Sequence, residues 1–468
     1  MSISSFLTKK YLKSLFFPSH NRGAALPKKL VKLLRKKPGY WDLPELPEIG
    51  SPLSQSGLIA KSQREFSQKF KAKGCFFGVN GASGLIQSAV IAMANPGENI
   101  LMPRNVHISV IKICAMQNIQ PLFFDLDFSS ENGHYKPISK NWLKNVFEKI
   151  NFNEKKIAGV ILVSPSYHGY AADLEPLVDL CHQKNLPVLV DEAHGSYFLF
   201  CENLNLPKSA LISNADLVVH SLHKSLNSLT QTAALWYQGN LVNEQNLIKS
   251  INLLQTTSPS SLLLSSCEES IKDWLNKKSL SKYQNRILEA KSINKKLIKK
   301  NIPLIETQDP LKIVLNTSTA GIDGFTADKF FYKNGLIAEL PEMMTLTFCL
   351  GFANQKDFLN LFIKLWNKLL LNSKKLDNLK VIQSPFNLVE APEIQIGIAW
   401  RSETRSIPFS QSLNKISGDI ICPYPPGIPL LIPGERIDIN RFNWINNQSL
   451  CNKDLLNFNI RVIKKIEI

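Results

Sequence analysis

VLVDEAHGSYFLF (residues 188–200) and ADLVVHSLHKSLNSLTQTAA (215–234) each contain a short apolar run that ends in polar side chains. Val188-Leu189-Val190 is followed by Asp191, Glu192 and His194, and Leu217-Val218-Val219 by His220, Ser221, His223 and Lys224. An unbroken apolar run bounded by polar residues is the pattern of a strand buried in a parallel sheet. Ligands of open α/β sheets sit beyond the carboxyl ends of such strands, where these polar residues project. Further strand-like runs occur at 75–79, 99–102, 120–124 and 157–163. Helical patterns at 59–70, 85–94 and 109–117, and another after SPSYHGY (164–170), fall between them. Strand–helix alternation with short connections predicts a doubly wound α/β domain with a mostly parallel sheet.

The chain has 468 residues, too many for one small core, so several domains are expected. Residues 1–55 read as an N-terminal arm. It has a basic helix at 28–37 and proline-rich turns after it, suited to wrapping a neighbour. Residues 56–300 read as the large α/β domain. Residues 301–468 read as a smaller α+β domain with strands at 311–315 and 344–350, a helix at 325–334 and a linker near 373–390. A hydrophobic fraction of 44% with 20% charged residues is that of a folded globular protein. The net charge of +17 raises nucleic-acid binding, but the lysines are dispersed and only 28–37 forms a dense block. Eight cysteines without a CxxC pair argue against a disulfide framework or a zinc cluster. No metal centre is expected. With no secretory signal and no run long enough to span a bilayer, a reducing cytoplasm is the expected location and no membrane partner is expected.

The chemistry is concentrated at the strand ends. Lys224 follows His223 directly and lies just past a buried strand. A lysine in an apolar crevice beside another cation has a depressed pKa and becomes a nucleophile toward an aldehyde. Asp191 lies 33 positions earlier, close to one βα unit, so the two can sit on neighbouring strand ends. Together they suggest a carbonyl cofactor held covalently by the lysine, with the carboxylate keeping its ring nitrogen protonated. Gly81-Ala82-Ser83-Gly84 reads as a turn between a strand and a helix. Its backbone amides and serine hydroxyl suit a single phosphate. It is not a dinucleotide or triphosphate motif. His107, His168 and His194 also follow strands, where an imidazole serves either as a structural hydrogen-bonding group or as a stacking surface.

With these residues assembled, the sequence resembles the fold-type-I pyridoxal-phosphate decarboxylases of basic amino acids, the ornithine/lysine/arginine decarboxylase family. FFPSHNRG (16–23), GVNGASG (78–84), PRNVHIS (103–109), SPSYHG (164–169), DEAHG (191–195), SLHKSLNSLTQTA (221–233), TTSPS (256–260) and PYPPGIPLLIPGE (423–435) resemble its motifs in order. The resemblance implies pyridoxal 5'-phosphate bound covalently to Lys224, with Asp191 at the ring nitrogen and His107 stacked on the ring. Ala82, Ser83, Gly84, Ser221 and His223 would hold the phosphate end, and His194 would line the cofactor site. Thr256 and Thr257 would reach the phosphate of a neighbouring subunit in a homodimer or larger homo-oligomer. His223 would donate the proton to Cα. The side chain of the basic substrate needs a carboxylate, for which Glu339 and Glu435 are the candidates.

Three residues depart from the family pattern. Ser19 replaces a glycine, Ala82 a threonine and Ile108 a lysine. None removes a group that the chemistry requires. The extra N-terminal domain of the longest members is not expected, nor is their ring-shaped assembly. Composition alone does not separate decarboxylation from transamination or aldol cleavage, and a non-catalytic binding or regulatory paralogue would have the same fold. Purified protein is expected to be yellow, bleached by borohydride and colourless as Lys224→Ala. An absorbance scan checks this.

Overall fold

The computed structural model describes residues 2–7, 13–355, 357–376, 379, 383–423, 427–449 and 458–464. Tyr424, Pro425 and Pro426 of the proline-dense motif, Cys451, and residues 377–378 and 380–382 of the expected linker lie outside the described residues. The central sheet has eight strands. In chain order they are β1 (Gly74–Gly78), β2 (Asn99–Pro103), β3 (Gln120–Phe124), β4 (Ile157–Val163), β5 (Val188–Asp191), β6 (Leu217–His220), β7 (Ala233–Tyr237) and β8 (Val389–Glu390). Their spatial order is β8-β3-β2-β4-β5-β6-β7-β1. Strands β3, β2, β4, β5 and β6 are mutually parallel. Strand β7 runs antiparallel to both its neighbours, and β8 antiparallel to β3.

The apolar runs form strands because helices cover both faces of the sheet. Alternate residues enter opposite cores: Val188, Val190 and Val218 face one, while Leu189, Leu217 and Val219 face the other. A strand buried on both sides needs apolar residues at every position, so its sequence is continuous rather than alternating. The register then sets Asp191 opposite Val163 on one neighbour and Val219 on the other, at the carboxyl edge.

The structure changes four expectations. Residues 81–84 are not a turn but the first turn of the helix Gly81–Met93. The basic helix is shorter than expected, Lys28–Leu34. Part of the expected N-terminal arm is built into the chain's own fold: Lys13–Ser14 pairs with Leu336–Ile337, and Leu15 is fully buried in the core. The end of the expected linker is a strand, with Val389 and Glu390 paired to Phe124 and Phe123.

Residues 301–468, expected as one α+β region, hold two separate sheets. Leu304–Ile305, Lys312–Asn316, Thr345–Cys349 and Leu340–Pro341 form an antiparallel sheet. Thr404–Pro408 and Asn459–Ile463 form another pair, over a core that includes Phe409, Leu431, Ile445 and Val462. The joint between this last part and the central sheet is Arg104, just beyond β2. Its guanidinium contacts Glu390 and Glu435 and lies 4.0 Å from the ring centre of Phe123 and 3.8 Å from that of Phe386. Removing one partner from a buried ion pair leaves the others uncompensated. Arg104→Met is therefore expected to lower unfolding free energy by about 3–5 kcal/mol in guanidinium titration.

Candidate active site

Five strand ends deliver one cavity of about 160 Å³. It is lined by Ala82 and Ser83 after β1, His107 after β2, Tyr167 after β4, Asp191 and His194 at and after β5, and Ser221, His223 and Lys224 after β6. A larger cavity of about 610 Å³ contains none of the expected site residues.

At the first wall, the helix Gly81–Met93 begins after Asn80, whose side chain provides no cap. The amides of its first turn therefore have no partner from the helix or from that cap, the arrangement that binds an anion. A Cβ at Gly84 would come within 2.9 Å of the Gln255 side-chain nitrogen and 3.0 Å of Asn80 Cβ, so a side chain there would displace both neighbours. Ser221 lines the same cavity, and its hydroxyl lies 3.1 Å from His223 Nδ1. The Thr232 carbonyl is 3.4 Å from that nitrogen and can only accept, which assigns the proton to Nδ1.

His107 has two uses. It is the N-cap of Ile108–Gln117: its Nδ1 accepts from the Ser109 amide at 3.2 Å and lies 2.8 Å from the Ser109 hydroxyl. That cap fixes the ring's orientation in the cavity wall. Burial, and then Lys224 nearby, push His107 down to about 4, so it is a neutral ring at physiological pH. His223 is also lowered to about 4, by burial and then by Lys224.

Lys224 Nζ lies 3.1 Å from Nε2 of His194, whose own pKa burial and Lys224 hold well below the usual histidine range. The amine and the neutral imidazole share this hydrogen bond. Burial lowers the Lys224 pKa, while Asp191 and Glu339 oppose that shift. Burial raises Asp191, with Lys224 and the Ala193 amide opposing it. A carboxylate kept under that strain favours a cationic partner. An amine, that carboxylate and an open helix N-terminus line one cavity, and this donor set fits a phosphate-bearing pyridine aldehyde.

The remaining expected residues fall elsewhere. Thr256 and Thr257 line a different cavity, with Glu45 and Leu53. Glu339 accepts the Phe17 amide at 2.9 Å and the Tyr167 hydroxyl. Glu435 is expected at the substrate side chain, but it is buried against Arg104 and accepts the Ile432 amide at 2.9 Å. This correction arises because Arg104 neutralises its charge. Ser19, where the family has glycine, accepts the Asn227 amide at 3.1 Å, and its own amide donates to the His223 carbonyl at 3.0 Å. His168 is 2.6 Å from Glu342, with His134 stacked on it, away from Lys224. Glu342 and His134 were not singled out by the sequence, and no local signal marks them.

The model of the Orn/Lys/Arg decarboxylase major domain matches residues 13–317, and that of the C-terminal domain matches residues 380–450. The chain belongs to this family. An arginine decarboxylase of Bacillus anthracis is 29% identical over 451 residues, covering 92% of this chain and 88% of that protein. Lysine decarboxylase A from Pseudomonas aeruginosa superposes with a TM-score of 0.75 at 16% identity, over 91% of this chain and 74% of that one. A PLP-bound serine palmitoyltransferase from S. paucimobilis superposes with a TM-score of 0.55 at 14% identity, over 76% and 86% of the two chains. The fold is that of the type I pyridoxal-phosphate enzymes. Among the described residues, no helix is long and apolar enough to cross a membrane.

His107, His134 and His223 each have a folded pKa of about 4, against the ordinary 6.5. Between those values the unfolded chain binds more protons, so stability is intact above pH 6.5 and is lost as pH falls toward 4. Each histidine contributes a slope of at most about 1.4 kcal/mol per pH unit. Denaturant titrations of apo protein across that window are expected to show a shallower slope for His107→Asn than for wild type.

Proposed function

We propose that this protein is a pyridoxal-phosphate-dependent decarboxylase of a basic amino acid, with arginine the first substrate to try. The observation that carries the reading is the meeting of Lys224, Asp191, His107 and an open helix N-terminus in one cavity. Family membership and arginine decarboxylase relatives at 26–29% identity support the reaction type and the substrate.

The net reaction removes CO2 from Cα and places one proton there, giving an amine. The cofactor, when bound, supplies the electron sink for the bond that breaks. Lys224 Nζ would hold the aldehyde, Asp191 would keep the ring nitrogen protonated, and the neutral His107 ring would pack against the cofactor. The amides of Ala82, Ser83 and Gly84 and the Ser221 hydroxyl would bind the phosphate. His223 is the proposed donor to Cα. It takes a proton at Nε2 while Nδ1 stays on the Thr232 carbonyl. Phe17 and Tyr167, joined through Glu339, keep water from the Lys224 side.

A homodimer completes the proposal. Thr256 and Thr257 sit outside their own chain's site and are available to a second copy's phosphate. A cytoplasmic enzyme feeding amine synthesis fits the free, mostly buried cysteines.

Release of CO2 is to be measured from arginine, lysine and ornithine with the holoenzyme. Wild type is expected to act on at least one, and Lys224→Ala on none. His223→Gln is expected to lose about 10²–10⁴-fold in kcat. Transamination of these substrates without CO2 release would sink the proposal.

A further inference from the structure

The carboxylate expected to recognise the substrate cation is not Glu435, which Arg104 occupies, and Glu339 is engaged by the Phe17 amide and the Tyr167 hydroxyl. A second cavity of about 160 Å³ adjoins the one that holds Lys224. The two share Asn105, Val163, Tyr167 and Ile428 as lining residues, which makes them neighbours on one side of the lysine. Among the described residues, Glu342 is the only acidic side chain lining the second cavity. Arg104 also lines it, but Glu390 and Glu435 neutralise its charge.

Glu342 is fixed from behind. Its Oε2 lies 2.6 Å from His168 Nε2, 3.2 Å from His134 Nε2 and 3.1 Å from the Thr345 hydroxyl. The two imidazoles stack with ring centres 3.6 Å apart and 20° between planes. Burial pushes the Glu342 carboxyl up, but His168 and the bond from His134 outweigh it and hold it well below the carboxylate range. His134 is lowered to about 4 by burial and by His168 beside it. The carboxylate is therefore ionised and oriented, and His134 is neutral. Phe128, Tyr135 and Trp444 line the same space and add ring surfaces that attract a cation.

We propose that Glu342, oriented by His134 and His168, binds the cationic end of the substrate side chain. The proposal rests on the basic-amino-acid reading above and names the group that would enforce it. An ammonium or guanidinium would donate to the remaining lone pairs of the Glu342 carboxylate. A neutral isostere would leave that charge unpaired. A metal ion is the competing occupant, since the ligand atoms of His134, His168 and Glu342 lie within 4.8 Å of one another.

The test uses the holoenzyme and equilibrium calorimetry, so it does not depend on turnover. Agmatine and cadaverine, which carry a distal cation, are compared with 1-aminopentane, which does not. Wild type is expected to bind at least one dication about tenfold or more tighter than the neutral-tailed amine, and Glu342→Gln to erase that difference with cofactor absorbance retained. In CO2 assays the same variant is expected to raise KM far more than it lowers kcat. Equal binding of charged and neutral amines by wild type would overturn the proposal without needing any variant to fold. Undiminished discrimination by Glu342→Gln, or stoichiometric zinc in the purified protein, would overturn it too. Discrimination that depends on Glu342 without CO2 release would uphold the cation site and reject the decarboxylase reading. CO2 release with KM unchanged in the variant would do the reverse.

Discussion

The structure depends on the cost of keeping an amine, Lys224, away from water. Burial lowers its pKa, Asp191 and Glu339 oppose that shift, and Lys312 adds to it. Each of these groups comes from a different part of the chain: Asp191 from β5, Glu339 from the segment between Leu336–Ile337 and Leu340–Pro341, Lys312 from the antiparallel sheet. The central sheet and the second sheet are thus held in register around one titratable atom. A change that loosened their packing would change the nucleophilicity of the lysine, because solvation and charge act on it together.

A second constraint is Arg104. It stands one residue past β2 and reaches two carboxylates from the last part of the chain. The same backbone run continues to His107, which caps a helix and faces the cavity. Docking of the C-terminal part and the placement of the His107 ring are therefore mechanically linked through three residues. Hydrogen bonding of the Ile108 amide to the Gly427 carbonyl at 2.8 Å reinforces the link.

The sheet was legible in the sequence because strands buried on both faces cannot hide their apolar runs. Asp191 and Lys224 were legible because such runs end where ligands bind. The first turn of the helix at Gly81 was not, since two glycines in four residues read locally as a turn; packing of Leu85 and Ile86 overrides that preference. Glu342 was invisible for a different reason. Its partners His168 and His134 lie 174 and 208 positions away, and nothing in LPEMMT distinguishes an oriented carboxylate from a solvated one. Glu435 misled because PGE contains a charge whose counter-ion, Arg104, is 331 positions away. The burial of Leu15 was not legible either, because residues 1–55 read as an arm from their basic helix and proline-rich turns, and the pairing partner of Lys13–Ser14 lies more than 300 positions away.

That early segment has a bearing on how the molecule is assembled. Phe17 is tied to Glu339 across 322 positions, and Ser19 to Asn227 across 208. Contacts so distant along the chain close late, after most loop entropy has been lost. During synthesis Phe17 must wait for 322 further residues before Glu339 emerges and this contact can close. Until then the lysine pocket lacks one wall, so a nascent or truncated chain could carry every catalytic residue and still leave the pocket open to water.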